Sequence, residues 1–245
     1  MNAVVKRYGS HVVGVCQDRY SVAVWEHPSE HEHFFDQGWI DYLSKFIRSG
    51  DFVVDIGAHT GDTTVPLAVA AGDGGLVIAF EPNPYVFEVL LRNSTLNSGI
   101  AKIIPLPYAV AADAGFDTFL YTDDAYCNGG NVEFGVTGCC VKLSVYKVPL
   151  QSVLALAQGR RLSYLKIDVE GKELEIIQAA AVELKANRTT LQVEIFGYNS
   201  LRLKVALWRQ LTDMGYTRIT KFLSETLYDG PEESTETYDV VASYA

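Results

Sequence analysis

Four apolar runs of this 245-residue chain stop at a carboxylate, and the residues around those carboxylates are the ones equipped for chemistry. The first run passes into Asp55-Ile56-Gly57-Ala58-His59-Thr60-Gly61, and the second ends at Glu81-Pro82-Asn83-Pro84. A strand that stops at a glycine-rich turn lets the backbone approach a ligand closely, and a carboxylate closing the next strand grips both hydroxyls of a ribose. Together they read as a nucleoside-cofactor pocket. A strand-to-helix turn also uses glycine for backbone freedom alone, with no ligand present. The position of Glu81, where the second strand should end, favours the ligand.

Two cofactors compete for such a pocket. A dinucleotide site wants G-x-G-x-x-G, so that a helix N-terminus meets a pyrophosphate. This loop has only Gly57 and Gly61, with Asp55 just ahead of them. An acid there repels a pyrophosphate. S-adenosylmethionine has no phosphate, and a strand-end carboxylate and turn carbonyls accommodate its sulfonium and α-ammonium. The loop therefore favours S-adenosylmethionine over NAD. His59 beside a sulfonium is a base at neutral pH on one reading and a hydrogen-bonding residue that orders the turn on the other. The second reading makes it cofactor-binding and is preferred.

The other two runs end near Asp168 with Glu170, and at Glu194. An open parallel sheet presents such side chains to the ligand crevice. Methyl transfer to an oxygen is an in-line displacement in which the acceptor loses a proton, so a carboxylate facing the methyl orients the hydroxyl and accepts that proton. Asp168 is the leading catalytic candidate. Its alternative is to bind the cofactor's ammonium or cap a turn, and Glu170 reads more readily as the acidic start of a helix. Glu194 is a third active-site carboxylate or a metal ligand with Asp168, although nothing in the sequence demands a metal.

The elements that must position these groups alternate between β-rich apolar runs and segments of helical period, the pattern of an α/β fold with a parallel sheet covered on both faces. Strands are expected at 52–56, 76–80, 102–106, 164–167 and 191–195. The segment 172–184 reads as one amphipathic helix with Leu174, Ile177, Ala181 and Leu184 facing the core and Glu173, Glu175 and Glu183 in water. Ahead of the first loop, 12–16 and 20–25 alternate around Gln17-Asp18-Arg19 as a β-hairpin, and a helix over about 34–48 follows, stopped by Gly50. This N-terminal cap is placed to lie over the pocket. The tail reads as a helix from 205 to 214, Gly215 as its stop, and an antiparallel pair at 216–222 and 238–244. Between the third and fourth strands, 113–146 holds Asn128-Gly129, a hairpin turn whose tip is also suited to substrate contact.

At 48% hydrophobic content the chain is expected to form one domain over 1–245, with the hairpin and cap helix in 1–49 and the catalytic core in 50–245. A formal charge of −10 with no basic run makes nucleic acid an unfavourable partner. Cys16, Cys127, Cys139 and Cys140 show no paired spacing for a disulfide framework or metal site. His27, His31 and His33, interspersed with acids, read as a solvated helix start in preference to a metal site. The start resembles no signal peptide and no window approaches a membrane span, so a soluble cytoplasmic protein is expected. The acidic segment 232–236 reads as a solvated loop.

Asp55-Ile-Gly57-Ala-His-Thr-Gly61, Ala79-Phe-Glu81-Pro-Asn83-Pro84, Asn93, Asn97, Leu165-Lys-Ile-Asp168-Val-Glu170-Gly-Lys-Glu-Leu174 and Val193-Glu194-Ile195 together resemble the FkbM-type S-adenosylmethionine-dependent methyltransferases over roughly residues 50–196. That resemblance implies a class I, Rossmann-like fold with a seven-stranded, mostly parallel sheet whose last strand is antiparallel. It implies methylation of hydroxyls on small molecules or sugars. It also implies that Asp55, Gly57 and Gly61 line the methionine half, Glu81 holds the ribose and Ala109 lies near adenine. Asn83, His59 and Asp168 complete the expected cofactor contacts, and Asp168, Glu170 and Glu194 the catalytic set, with no metal. His59 departs from the Asn usual in the family's Gly-Ala-Asn motif.

Two other classes compete with a methyltransferase. An NAD-dependent oxidoreductase shares the strand-loop-strand architecture but lacks its glycine signature here. A non-catalytic S-adenosylmethionine-binding scaffold would keep Asp55 and Glu81 and be indifferent to Asp168. The identity of the methyl acceptor is not encoded by fold or cofactor pocket.

Overall fold

Asp55, Lys166 and Gln192 sit side by side on three neighbouring strands, and the sheet that aligns them is the frame of the molecule. The computed structural model describes residues 7–122 apart from 29 and 31–33, and residues 140–244 apart from 158 and 198. His31 and His33, Cys127 and Cys139, and the Asn128-Gly129 turn lie outside the described residues. Among the described residues no helix is long and apolar enough to cross a membrane.

The chain opens with the hairpin β1 (Ser10–Val15) and β2 (Tyr20–Trp25), then α1 (Gln37–Leu43). The expected helix over 34–48 is confined to seven residues. Asp36 caps its start by accepting from Trp39 N, and at its other end the bonds from Phe46 N and Ile47 N to Leu43 O tighten the chain into turns. Next come the strands β3 (Phe52–Ile56), β4 (Leu76–Phe80) and β5 (Lys102–Leu106), as expected. Between them run α2 (Thr64–Ala71) and α3 (Pro84–Asn93). A smaller sheet of β6 (Ala109–Ala111), β7 (Gly115–Thr122) and β8 (Cys140–Pro149) follows, and after α4 (Leu150–Leu154) the chain returns in β9 (Leu162–Ile167) and β10 (Thr190–Ile195). It closes with α7 (Leu201–Asp213), β11 (Arg218–Lys221) and β12 (Tyr238–Ser243).

The main sheet has seven strands in the order β11-β12-β10-β9-β3-β4-β5. Only β12 is reversed, pairing antiparallel with both β10 and β11. Every residue of β3, β4, β9 and β10 is buried, the signature of central strands covered on both faces. One face carries a core of Phe52, Ile78, Leu165, Ile177 and Leu191, and the other a core of Val53, Leu67, Val77 and Tyr164. The strand order reverses at β3, so the open ends of β3 and β9 form the crevice where such sheets hold ligands.

The expected helix over 172–184 is two: α5 (Glu173–Ala179) and α6 (Ala181–Asn187), separated at Ala180. Ile177 and Leu184 face the core as expected, but Glu173 does not remain in water. Its carboxylate turns back onto the loop after β9, accepting from Val169 N at 3.1 Å and Gly171 N at 3.0 Å. Burial pushes its carboxyl up to about 7 against those hydrogen bonds.

The hairpin is fastened by asparagines. Asn93 accepts from Ala23 N (2.6 Å) and donates to Ala23 O (3.0 Å) and Thr60 O (2.7 Å), while Asn97 accepts from Ser21 N and donates to Ser21 O, both at 2.8 Å. Each carboxamide imitates the partner residue of a strand ladder. The result is a cap tied to the glycine loop, with Trp25 edge-on to His59 at 6.0 Å.

Candidate active site

The loop after β3 is shaped by hydrogen bonds to its neighbours. Gly57 N and Ala58 N donate to Phe80 O, and Asp168 N donates to Ile56 O. Gly57 has φ +77°, and a Cβ there would stand 1.8 Å from the Asp168 carbonyl oxygen, so glycine is what allows the loops after β3 and β9 to touch. His59, at φ +48°, turns the chain and directs its N–H to Glu81 Oε2 at 2.9 Å. Asn83 N donates to Glu81 Oε1 at 2.7 Å. Glu81 is thus oriented by two backbone donors at the mouth of β4. Burial outweighs those donors and pushes its carboxyl up to about 7.

A cavity of about 580 Å³ opens over these strand ends. Gly57, His59, Glu81, Ala109, Asp168, Glu170 and Glu194 all line it, so the structure brings together most of the residues singled out in the sequence. Asp55, Gly61 and Asn83 lie behind its wall. Asp55 is fully buried, and its Oδ2 accepts from Thr64 Oγ1 at 2.6 Å and Thr63 Oγ1 at 3.0 Å, so its role is to hold the turn. Gly61 packs against Leu90 and Asn93. Asn83 caps α3 by accepting from Tyr85 N at 3.0 Å, and supports Glu81 through its own N–H.

Two groups without an assigned role in the sequence reading complete the site. Lys166, almost wholly buried, places its Nζ 3.0 Å from Asp168 Oδ2, 3.3 Å from Gly57 O and 3.8 Å from Asp55 Oδ1. Burial alone lowers its pKa, but the carboxylates of Asp168, Asp55, Asp239 and Asp62 outweigh that and raise it, so the amine stays charged. The same burial raises Asp55 against the pull of Lys166 and the two threonine hydroxyls. Asp239 reaches the cavity from β12, directly opposite Glu194, and accepts from Gln192 Nε2 at 2.6 Å. A charged residue inside the central strand Leu162–Ile167 was the available signal for Lys166; its register beside Asp55 was not visible locally.

His59 has its pKa lowered, by burial first, with Lys166 and His27 adding to that and Asp62 and Asp168 opposing it. It is therefore neutral at pH 7. Among the described residues no group of His, Cys, Asp and Glu is arranged to hold a metal ion.

Residues 55–218 match the family model described as the methyltransferase FkbM domain, and they include the glycine loop, Glu81, Lys166, Asp168 and Glu194. The chain belongs to this family. Its methyl donor is S-adenosylmethionine, and the site fits it: a backbone approach without a side chain at Gly57, a carboxylate oriented by two backbone donors at Glu81, and a turn with Gly57 and Gly61 in place of the G-x-G-x-x-G that a pyrophosphate needs.

Among relatives of this FkbM-domain chain, the hexuronic acid methyltransferase AglP of Haloferax volcanii is 24% identical over 151 residues, 62% of this chain and 59% of that protein. The methyltransferase sdnD of Sordaria araneosa is 27% identical over 164 residues, 56% of this chain and 63% of that protein. The chain therefore matches only about three fifths of the length of these curated relatives. Among solved structures, a precorrin-6Y C5,15-methyltransferase from Geobacter metallireducens shares the fold at a TM-score of 0.50 and 14% identity, covering 94% of this chain and 98% of that one. The methyltransferase FkbM of Methylobacillus flagellatus aligns at a TM-score of 0.49 and 15% identity, over 84% of this chain and 50% of that one.

Proposed function

We propose that this methyltransferase O-methylates a hydroxyl on a small molecule or sugar, with Asp168 as the group that orients the acceptor and receives its proton. S-adenosylmethionine supplies an electrophilic methyl carried on a sulfonium. The observation that carries the reading is the position of Asp168: it lines the same cavity as Glu81, at the end of the neighbouring strand but one, and keeps a third (33%) of its side chain exposed there. The ion pair with Lys166 fixes the carboxylate through Oδ2, so that it meets an incoming hydroxyl without first reorganising. The acceptor O–H gives its proton to this carboxylate as the oxygen–methyl bond forms and the sulfur–methyl bond breaks. Gly57, His59 and Ala109 support the cofactor reading by lining the cavity beside Glu81. A relative named for a hexuronic acid supports a carbohydrate acceptor.

The test is transfer of labelled methyl from S-adenosylmethionine to a panel of sugars and small hydroxyl compounds by wild type and Asp168→Asn. A proton acceptor contributes about 10²–10⁴-fold, so Asp168→Asn is expected to lose that much in kcat while S-adenosylhomocysteine still binds. Full activity in the variant would remove Asp168 from the mechanism, and transfer only to nitrogen or carbon acceptors would overturn the O-methylation reading.

A further inference from the structure

Glu194 lines the cavity near the end of β10, yet its Oε2 is buried without any hydrogen-bond partner, and the residue is only 8% exposed. A buried polar atom left unsatisfied is costly, and one in a cavity wall calls for a partner that enters the cavity. The side chains around it are acidic: Asp168 and Glu170 from the loop after β9, Glu173 from α5 and Asp239 from β12. Lys166 is held by Asp168 at 3.0 Å. The other lysines lining the cavity are likewise engaged, Lys147 by Asp113 and Asp117 at 3.3 Å each and Lys172 by Glu175 at 3.0 Å. Among the described residues no arginine lines it.

We propose that Glu194 recognises the acceptor through a hydrogen bond from its carboxyl, and that the acceptor is an uncharged hydroxyl compound, a carboxylate-bearing one being rejected. This rests on the methyltransferase reading above and narrows its substrate class. Burial, followed by the charges of Asp168, Glu170, Glu173 and Asp239, pushes the Glu194 carboxyl up to about 11, so it stands neutral and able to donate. A sugar hydroxyl accepts that bond and returns one to a neighbouring carboxylate. A uronate meets Glu170 and Asp239 as like charges, with every lining lysine already paired.

The experiment uses matched probes: methyl glycosides of glucose, galactose and mannose, and their uronates, with labelled S-adenosylmethionine and the full chain. Neutral glycosides are expected to exceed their uronates by about 100-fold in kcat/KM, since juxtaposed like charges cost several kcal/mol. Glu194→Ala should raise the KM of the neutral acceptor about tenfold with little change in kcat or in the KM for S-adenosylmethionine, and Glu194→Gln should recover most of that loss, because an amide also donates. Uronates used as well as glycosides, no neutral glycoside methylated, an unmoved KM in Glu194→Ala, or a kcat abolished by Glu194→Gln would each overturn the proposal. S-adenosylhomocysteine binding to every variant separates these results from failure of the methyltransferase reading, in which no variant and no wild type would bind it.

Discussion

Replacing Lys166 by Met tests the electrostatic arrangement beneath the site. The change keeps the length and apolar stem of the side chain and removes only the amine, which lies 3.0 Å from Asp168 Oδ2 and 3.8 Å from Asp55 Oδ1. Asp168 retains access to the cavity, but Asp55 is fully buried; Thr63 and Thr64 serve its Oδ2 alone, and Oδ1 has no hydrogen-bond partner. Removing one member of a buried pair costs about 3–5 kcal/mol, because the remaining charge is left uncompensated. At about 2–4 °C per kcal/mol for a chain of this size, the melting temperature should fall by about 6–20 °C. Asp55 should take up a proton in compensation, since its pKa is already raised by burial and loses its main opposing charge. A group raised in the folded state stabilises below its unfolded pKa and loses that contribution as pH rises through its folded one. The stability of Lys166→Met should therefore fall more steeply than wild type above the ordinary carboxylate range. Urea unfolding across pH reads both effects, and Asp55→Asn in the same background should recover part of the loss. A cost below about 1 kcal/mol, or no recovery in the double variant, would refute the reasoning, as such a cost is typical of an exposed pair.

Three further outcomes follow from the same geometry. Gly57→Ala places a methyl 1.8 Å from the Asp168 carbonyl oxygen at φ +77°, and should cost at least about 3 kcal/mol and abolish S-adenosylhomocysteine binding, read by melting and calorimetry. The proposed ribose contact needs an ionised Glu81, whose carboxyl is raised to about 7, so cofactor affinity should fall about tenfold per unit as pH drops below 7, and this dependence should vanish in Glu81→Gln. Its stability contribution has the opposite sense, present below the ordinary carboxylate pKa and lost as pH rises through about 7. Asn93→Ala deprives Ala23 and Thr60 of three hydrogen bonds and should destabilise by about 2–4 kcal/mol, with faster amide exchange in β2.

The strands were legible as short apolar runs, those of β3, β4, β9 and β10 each with a carboxylate at or near its end, and 52–56, 76–80 and 102–106 occupy the expected residues. The helix over 172–184 was read as unbroken because no Gly or Pro marks the turn at Ala180, and Glu173 was read as solvated because helical period carries no information about the loop N–H groups of Val169 and Gly171 that its carboxylate serves. Glu81, Asp168 and Glu194 reach the cavity because strand ends point to the crevice, which is a rule of topology and readable from order alone. Asp55 and Asn83 are turned away by local partners, Thr63 and Thr64 for one and Tyr85 N for the other, that sequence spacing does not reveal. Lys166 and Asp239 enter through lateral register between strands distant in sequence, Asp55 beside Lys166 and Glu194 opposite Asp239.

The most direct test of the account is calorimetric titration of S-adenosylhomocysteine and NAD into wild type and Glu81→Ala. One S-adenosylhomocysteine should bind per chain, NAD should not, and the variant should bind at least about tenfold more weakly, since hydrogen bonds to a charged group contribute about 1.5–3 kcal/mol each. Equal affinity in wild type and a folded Glu81→Ala, or binding of NAD in place of the sulfur nucleoside, would contradict the assignment of this cavity to the methyl donor.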